Sequence, residues 1–133
     1  EIKNFNLKKI IKINIKNKGQ LGSDRIANAI GAKRFKNCLI IDFGTATTFD
    51  VIQNGIYEGG VIAPGVKLSI MNLSKATALL PMISLKSDQK SFGKNTKEAL
   101  NAGFVWGYEG LINNIITKII SKKKNKDYNL EKI

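Results

Sequence analysis

Asp42-Phe43-Gly44-Thr45-Ala46-Thr47-Thr48-Phe49-Asp50-Val51-Ile52-Gln53-Asn54-Gly55 is the stretch on which the fold turns. Ahead of it, Cys38-Leu39-Ile40-Ile41 is an apolar run suited to a strand that extends to Phe43 and feeds into the polar turn. Thr47 to Gln53 is rich in β-branched and aromatic residues and reads as a second strand. Asn54-Gly55 is the strongest short-range hairpin signal, because both positions of a tight hairpin turn need positive φ. A third strand follows from Ile56 to Ala63, giving a three-stranded meander that Pro64-Gly65 breaks.

Outward from the meander, Lys9 to Lys16 contains I-I-K-I-N-I, an alternation that predicts a half-buried strand, and Asn17-Lys18-Gly19 predicts a turn. From Ser23 the period changes: Ile26, Ala29 and Ile30 recur at helical spacing, with Ser23 or Asp24 available as N-cap and Gly31 near the stop. Downstream, Val66 to Leu80 has helical spacing ending before Pro81, Ser84 to Lys97 reads as loop, and a helix returns from Thr96 to about Ser121. Leu100, Phe104, Leu111, Ile115 and Ile119 form the apolar face of that last helix. The whole is an α/β chain.

Composition narrows the function classes. With 133 residues and 43% hydrophobic content the chain can bury a core, as one domain or as part of a larger one. Its +12 charge raises the question of a polyanionic partner. Nearly all of that charge is lysine, scattered along the chain; Arg25 and Arg34 are the only arginines, whereas nucleic-acid readers favour the arginine fork. No nucleic-acid partner is expected. The absence of histidine excludes imidazole catalysis and Cys/His zinc sites within this stretch. The single cysteine, Cys38, heads an apolar strand and reads as a core residue in a reducing, cytoplasmic setting. No apolar run reaches the ~20 residues of a membrane span. Glu1 at the start and the basic stretch Lys122 to Ile133 at the end predict that the chain continues in both directions.

Two segments carry candidate chemistry. In Asp42-Phe43-Gly44-Thr45-Ala46-Thr47-Thr48 a Gly-Thr turn between strands can offer backbone N–H groups and hydroxyls to phosphate oxygens, and Asp42 at the strand end can hold a cation. The alternative is a polar β-turn with no ligand. In Gly22-Ser23-Asp24-Arg25 a carboxylate and a guanidinium meet at a helix start, where anions are favoured. Asp24 could accept the proton of a substrate hydroxyl and Arg25 could clamp a substrate carboxylate; the alternative is an N-cap beside a solvated charge. Two look-alikes fail. Asp42-Phe43-Gly44 has no protein-kinase Gly-rich loop or H-R-D loop around it, and Gly93-Lys94-Asn95-Thr96 has Asp88 and Asn95 where a Walker A motif needs glycine and a hydroxyl.

L-G-S-D-R-I-A-N-A-I-G-A, D-F-G-T-A-T-T-F-D-V-I, G-G-V-I-A-P-G-V, F-G-K-N-T, A-L-N-A-G and G-Y-E-G-L occur in this order. Together they resemble type III pantothenate kinase over roughly Leu21 to Ile120. The resemblance implies a partial actin-like (ribonuclease H-like) kinase fold, with 1–36 ending a first actin-like domain and 37–133 forming part of a second. It implies ATP-dependent phosphorylation of pantothenate, the first step of coenzyme A biosynthesis, with magnesium and with potassium or ammonium. Asp24 matches the proton acceptor, and Gly22, Ser23, Asp24, Arg25 and Thr96 match pantothenate contacts. Gly44 and Thr45 match the ATP site, and Asp42 matches the monovalent-cation ligand. Ser23 stands where alanine is usual, and Ile15 where a tyrosine is often found, so that contact is not carried over. The family's D-x-G-N-T strand and its C-terminal nucleotide-binding segment have no counterpart here, so the chain alone is expected to be inactive.

Two other functions are compatible with the sequence: a catalytically silent homologue acting as a regulator or accessory factor, and a lysine-rich nucleic-acid module. The last helix bears on partners. Gly103, Gly107 and Gly110 recur at about one helical turn and lower helix propensity, which points to close backbone approach by another element. That element is either the chain's own sheet or, as the resemblance implies, a second copy in a homodimer.

Overall fold

The computed structural model describes residues 10–121, which form two compact units, 10–63 and 64–121. In the first unit, β1 (Lys12–Ile13) is followed by a 3-10 turn (Lys18–Gln20), α1 (Ser23–Gly31), β2 (Cys38–Phe43), β3 (Ala46–Gln53) and β4 (Ile56–Pro64). The sheet order is β1-β4-β3-β2. The predicted meander is therefore present, and β1 is added to its β4 edge in parallel, with Lys12 opposite Ile56 and Ile13 opposite Tyr57. β1 is shorter than the expected strand; Lys9 lies outside the described residues. Past its end the ladder continues in one bond, from the Asn14 N–H to the Tyr57 carbonyl (2.8 Å).

β2 and β3 pair antiparallel from Cys38 opposite Ile52 to Phe43 opposite Thr47. The β3–β4 turn is made by Asn54 (φ 51°) and Gly55 (φ 73°), the two positive angles that the Asn-Gly pair predicts. Its tip is tied to the chain entering β2. The Asn54 N–H donates to Asn37 Oδ1 (3.0 Å) and the Gly55 N–H to the Lys36 carbonyl (2.8 Å).

One face of this sheet carries the core. Ile11, Ile13, Ala29, Ile52 and Tyr57 form a buried cluster, with Ile15, Leu21, Ile30, Cys38 and Ile40 packed on it. Ala29 lies on α1 and Ile52 on β3, so the helix rests on the middle of the sheet. Cys38 is half-buried against this cluster, and desolvation pushes its thiol pKa up, as a core cysteine's should be.

The second unit begins with α2 (Val66–Ala76) and ends with α3 (Thr96–Ser121). α2 stops four residues before the expected Leu80. Thr77 is extended (φ −125°, ψ 137°), and its hydroxyl donates back to the Leu73 carbonyl (2.8 Å). The Ser74 hydroxyl reaches the Leu80 carbonyl (3.2 Å), so side chains near the helix end hold the chain in a non-helical path. α3 has the predicted bounds. Asn95 accepts the Glu98 N–H (3.0 Å) and the Glu98 carboxylate accepts the Lys94 N–H (2.9 Å), a reciprocal cap on the helix start.

Only Asn101 and Ala102 of α3 are buried. Asn101 holds the preceding loop, accepting the Lys86 N–H (2.8 Å) and donating to the Lys86 carbonyl (3.0 Å) and to Gln89 Oε1 (2.8 Å). Tyr108 donates to the Pro64 carbonyl (3.2 Å) and shares a 2.6 Å hydrogen bond with Ser69. No helix among the described residues is long and apolar enough to cross a membrane.

Candidate functional site

α1 starts without a side-chain cap: Gly22, not Ser23 or Asp24, is the N-cap, and Ser23 is the first helical residue. Neither Ser23 nor Asp24 satisfies the first-turn N–H groups, so that turn keeps donors directed out of the helix end, beside the exposed Asp24 carboxylate. Asp24 folds back over Gly22, where a Cβ would lie 2.5 Å from Asp24 Oδ1. Gly22, Ser23 and Asp24 thus form an open, polar helix end.

Arg25 behaves differently, because the helix turns it inward. Its Nε and Nη2 both donate to Asp50 Oδ1, at 2.8 and 2.5 Å. Asp50 stands on β3, fully buried, and Tyr57 of β4 donates its hydroxyl to the same oxygen at 2.6 Å. Burial alone would lower the Arg25 pKa, but hydrogen bonding and attraction to Asp50, helped by Tyr57 and Asp24, raise it above the ordinary value. Desolvation, then the Asp50 bond and charge, push the Tyr57 phenol up well past its ordinary range, against the opposing pull of Arg25. Arg25 is therefore a fixed cation. Asp50 Oδ2 is buried without a hydrogen-bond partner, as is Thr48 Oγ1 two residues back on the same face of β3.

One helical turn beyond Arg25, Asn28 donates to Asp42 Oδ2 (2.9 Å). Asp42 is exposed at the end of β2, opposite Thr48. The β2–β3 turn follows at once: the Gly44 N–H donates to the Ala46 carbonyl (3.0 Å), and Thr45 is exposed. The Gly44 amide expected to face a phosphate is thus engaged within the turn. Asn28 faces Asp42 with its N–H rather than its oxygen, so the amide orients the carboxylate and the oxygens open to a cation there are those of Asp42. No group of three His, Cys, Asp or Glu side chains suited to a metal occurs among the described residues.

The first unit thus brings Gly22, Ser23, Asp24, Arg25 and Asp42 onto one helix and the sheet it packs on, with Gly44 and Thr45 at the turn beyond Asp42. Thr96 stands in the second unit, exposed at the first turn of α3, on the rim of a groove of about 500 Å³ lined by Leu73, Leu80, Leu100, Phe104 and Leu111. Sequence reasoning gave no role to Asp50, Tyr57, Asn28 or Gly60. One signal was there for Asp50: a lone acid between Phe49 and Val51 inside a strand must find a partner if the strand is buried. Gly60 completes the geometry. A Cβ there would collide with the Phe49 carbonyl oxygen and lie 2.6 Å from Arg25 Nη2, so glycine leaves the room that the guanidinium occupies.

The family model described as type III pantothenate kinase matches residues 2–118. The type III pantothenate kinase of Pelagibacter ubique (strain HTCC1062) is 54% identical over 127 residues, covering 95% of this chain and 50% of the relative. That of Persephonella marina is 47% identical over 120 residues, covering 88% and 47%. The chain spans about half the length of the curated relatives it matches. Among solved structures, a Campylobacter jejuni protein described as of the Baf family of transcriptional activators matches with a TM-score of 0.60 at 30% identity, over 84% of this chain and 53% of that one.

Proposed function

This chain belongs to the type III pantothenate kinase family, and from that membership we propose that the protein containing it phosphorylates pantothenate with ATP to 4'-phosphopantothenate, opening coenzyme A biosynthesis in the cytoplasm. The observation that carries this reading is the helix end at Gly22 to Arg25: an exposed carboxylate, Asp24, next to a guanidinium locked in place. Asp24 accepts the proton of the pantothenate hydroxyl as its oxygen bonds to the γ-phosphorus, and the bond to the ADP oxygen breaks. Arg25 and the first-turn N–H groups hold the anionic substrate. Gly44 and Thr45 lie at the ATP phosphates. Asp42, oriented by the Asn28 amide, would hold potassium or ammonium, and magnesium would offset the charge of the phosphates.

The Asp24→Asn variant tests the central role. In a protein of the relatives' full length carrying this chain, turnover should fall by roughly 10²- to 10⁴-fold with the fold intact, because an amide cannot take the proton. Near-normal turnover would remove Asp24 from the mechanism. The description of the Campylobacter jejuni relative keeps a regulatory reading in view. Pantothenate-dependent ADP release separates the two readings, since a pure regulator shows none.

A homodimer is also part of the proposal. A Cβ at Gly103, Gly107 or Gly110 would meet nothing within 4 Å, and Trp106 is 44% exposed. The glycines are thus not filled by the second unit's own side chains, and a long apolar helix with small residues on one side is suited to a second copy.

A further inference from the structure

Three donors converge on one oxygen of Asp50, and the geometry they impose on Arg25 goes beyond charge pairing. A guanidinium has two edges able to bind a carboxylate, the Nε/Nη2 edge and the Nη1/Nη2 edge. Asp50 takes the first, through Nε (2.8 Å) and Nη2 (2.5 Å) to Oδ1. Among the described residues nothing hydrogen-bonds Nη1. The Arg25 side chain keeps 15% of its surface exposed while Asp50 keeps none. Asp50 is itself held by Tyr57 (2.6 Å), and Gly60 leaves the guanidinium its space over β4.

Stability alone does not account for this arrangement. A buried ion pair is often replaceable by apolar residues at no net cost, and it repays its desolvation only where further hydrogen bonds satisfy the remaining lone pairs. Here Oδ2 is buried and unpartnered while Oδ1 takes all three.

We propose that Asp50 is a positioning residue: it grips Arg25 by the Nε/Nη2 edge so that the Nη1/Nη2 edge stays presented, in one orientation, to the carboxylate of the acidic substrate. The proposal rests on the kinase reading above and assigns the alignment of that substrate to a β3 residue that does not touch it. A flexible arginine at the same position would have to be ordered on each binding event; one held beforehand does not.

The test uses a protein of the relatives' full length carrying this chain. Asp50→Asn keeps the shape of the side chain but weakens its hold on Arg25. The KM for pantothenate should rise by about tenfold while the KM for ATP is unchanged and kcat falls by less. In an Arg25→Ala background, where KM for pantothenate is already raised, Asp50→Asn should raise it no further, because the residue through which Asp50 acts is gone. Where Asp50→Asn alone does not fold, Arg25→Ala and Arg25→Ala/Asp50→Asn still give the comparison, since the double variant leaves no unpaired buried charge.

A folded Asp50→Asn protein with KM for pantothenate within twofold of the parent overturns the proposal. So do effects of the two substitutions that multiply, or equal rises in the KM of both substrates. A parent protein that does not phosphorylate pantothenate at all refutes the kinase reading instead, and is distinguished by being seen before any substitution is made.

Discussion

The Arg25–Asp50–Tyr57 cluster of the first unit and the helix α3 of the second use polar groups and glycines in opposite ways. In the first, polar side chains are drawn inward and closed on one another: Arg25, Asp50 and Tyr57 share a single oxygen, and Gly60 is glycine because a guanidinium and a carbonyl occupy its Cβ space. In the second, the 26-residue α3 buries only Asn101 and Ala102, and its three glycines face open space. The first unit has spent its side chains on an internal site. The second presents, on α3, a surface that other atoms must cover before that helix's glycines have a packing role.

The largest effect that sharpens this contrast is in the Arg25–Asp50–Tyr57 cluster. Tyr57→Phe keeps the ring in the core but removes a donor to a buried carboxylate, and should cost about 1.5–3 kcal/mol at neutral pH, as expected for a hydrogen bond to a charged group. Its pH dependence has a definite sign. The folded-state phenol pKa lies above the ordinary 10.0, so the stability it contributes is fully present below pH 10 and is lost as the pH rises through the folded value. Denaturant titrations of parent and variant from pH 7 upward should therefore converge above pH 10. A constant gap would mean that Tyr57 acts by packing alone.

A glycine exchange in the same unit gives the next effect. Gly60→Ala places a methyl group against the Phe49 carbonyl and 3.0 Å from Asp50 Oδ1, and main-chain atoms of a central strand cannot yield cheaply. The expected loss is about 1–3 kcal/mol, typical of overpacking, with a weaker grip on Arg25. Thermal unfolding measures the first, and the KM for pantothenate the second. A neutral substitution would show that the first unit is looser than its packing implies.

How much of this was legible in the sequence follows from how local each cause is. The meander, the Asn54-Gly55 turn and the spans of α1 and α3 depend on period and turn chemistry within a few residues and were readable; the cap of α1 was not, since Gly22 rather than Ser23 or Asp24 takes that position. α2 is shorter than its apolar spacing predicts because Leu79 and Leu80 continue that spacing, while the hydroxyls of Ser74 and Thr77 that bend the chain away give no periodic signal. Asp24, Arg25 and Asp42 stood out as motif residues. The partner of Arg25 did not, since residues 25 positions apart meet only through the docking of α1 on β3 and the opening at Gly60. Asp50 was printed in the most informative motif of the chain, yet its chemistry belongs to the tertiary structure.

The smallest predicted effect bears on the other side of the comparison, the open glycines of α3. Alanine is favoured over glycine within a helix by about 0.8–1.0 kcal/mol, and that gain is realised only where the new methyl group meets no obstacle. At Gly107 nothing lies within 4 Å of the Cβ position, so in the monomer Gly107→Ala should raise stability by up to about 1 kcal/mol. The proposed dimer predicts the reverse for association, because a second copy packed on this face would meet that methyl group. Unfolding measured at dilutions where the protein is monomeric, together with light scattering across a concentration series, reads the two effects separately. A more stable variant that also dimerises more weakly places the glycine face at the interface. A more stable variant with unchanged association moves the interface elsewhere and leaves the glycines as an unoptimised helix. A variant less stable even as monomer would show that α3 is covered after all, and the contrast between the two units would fall.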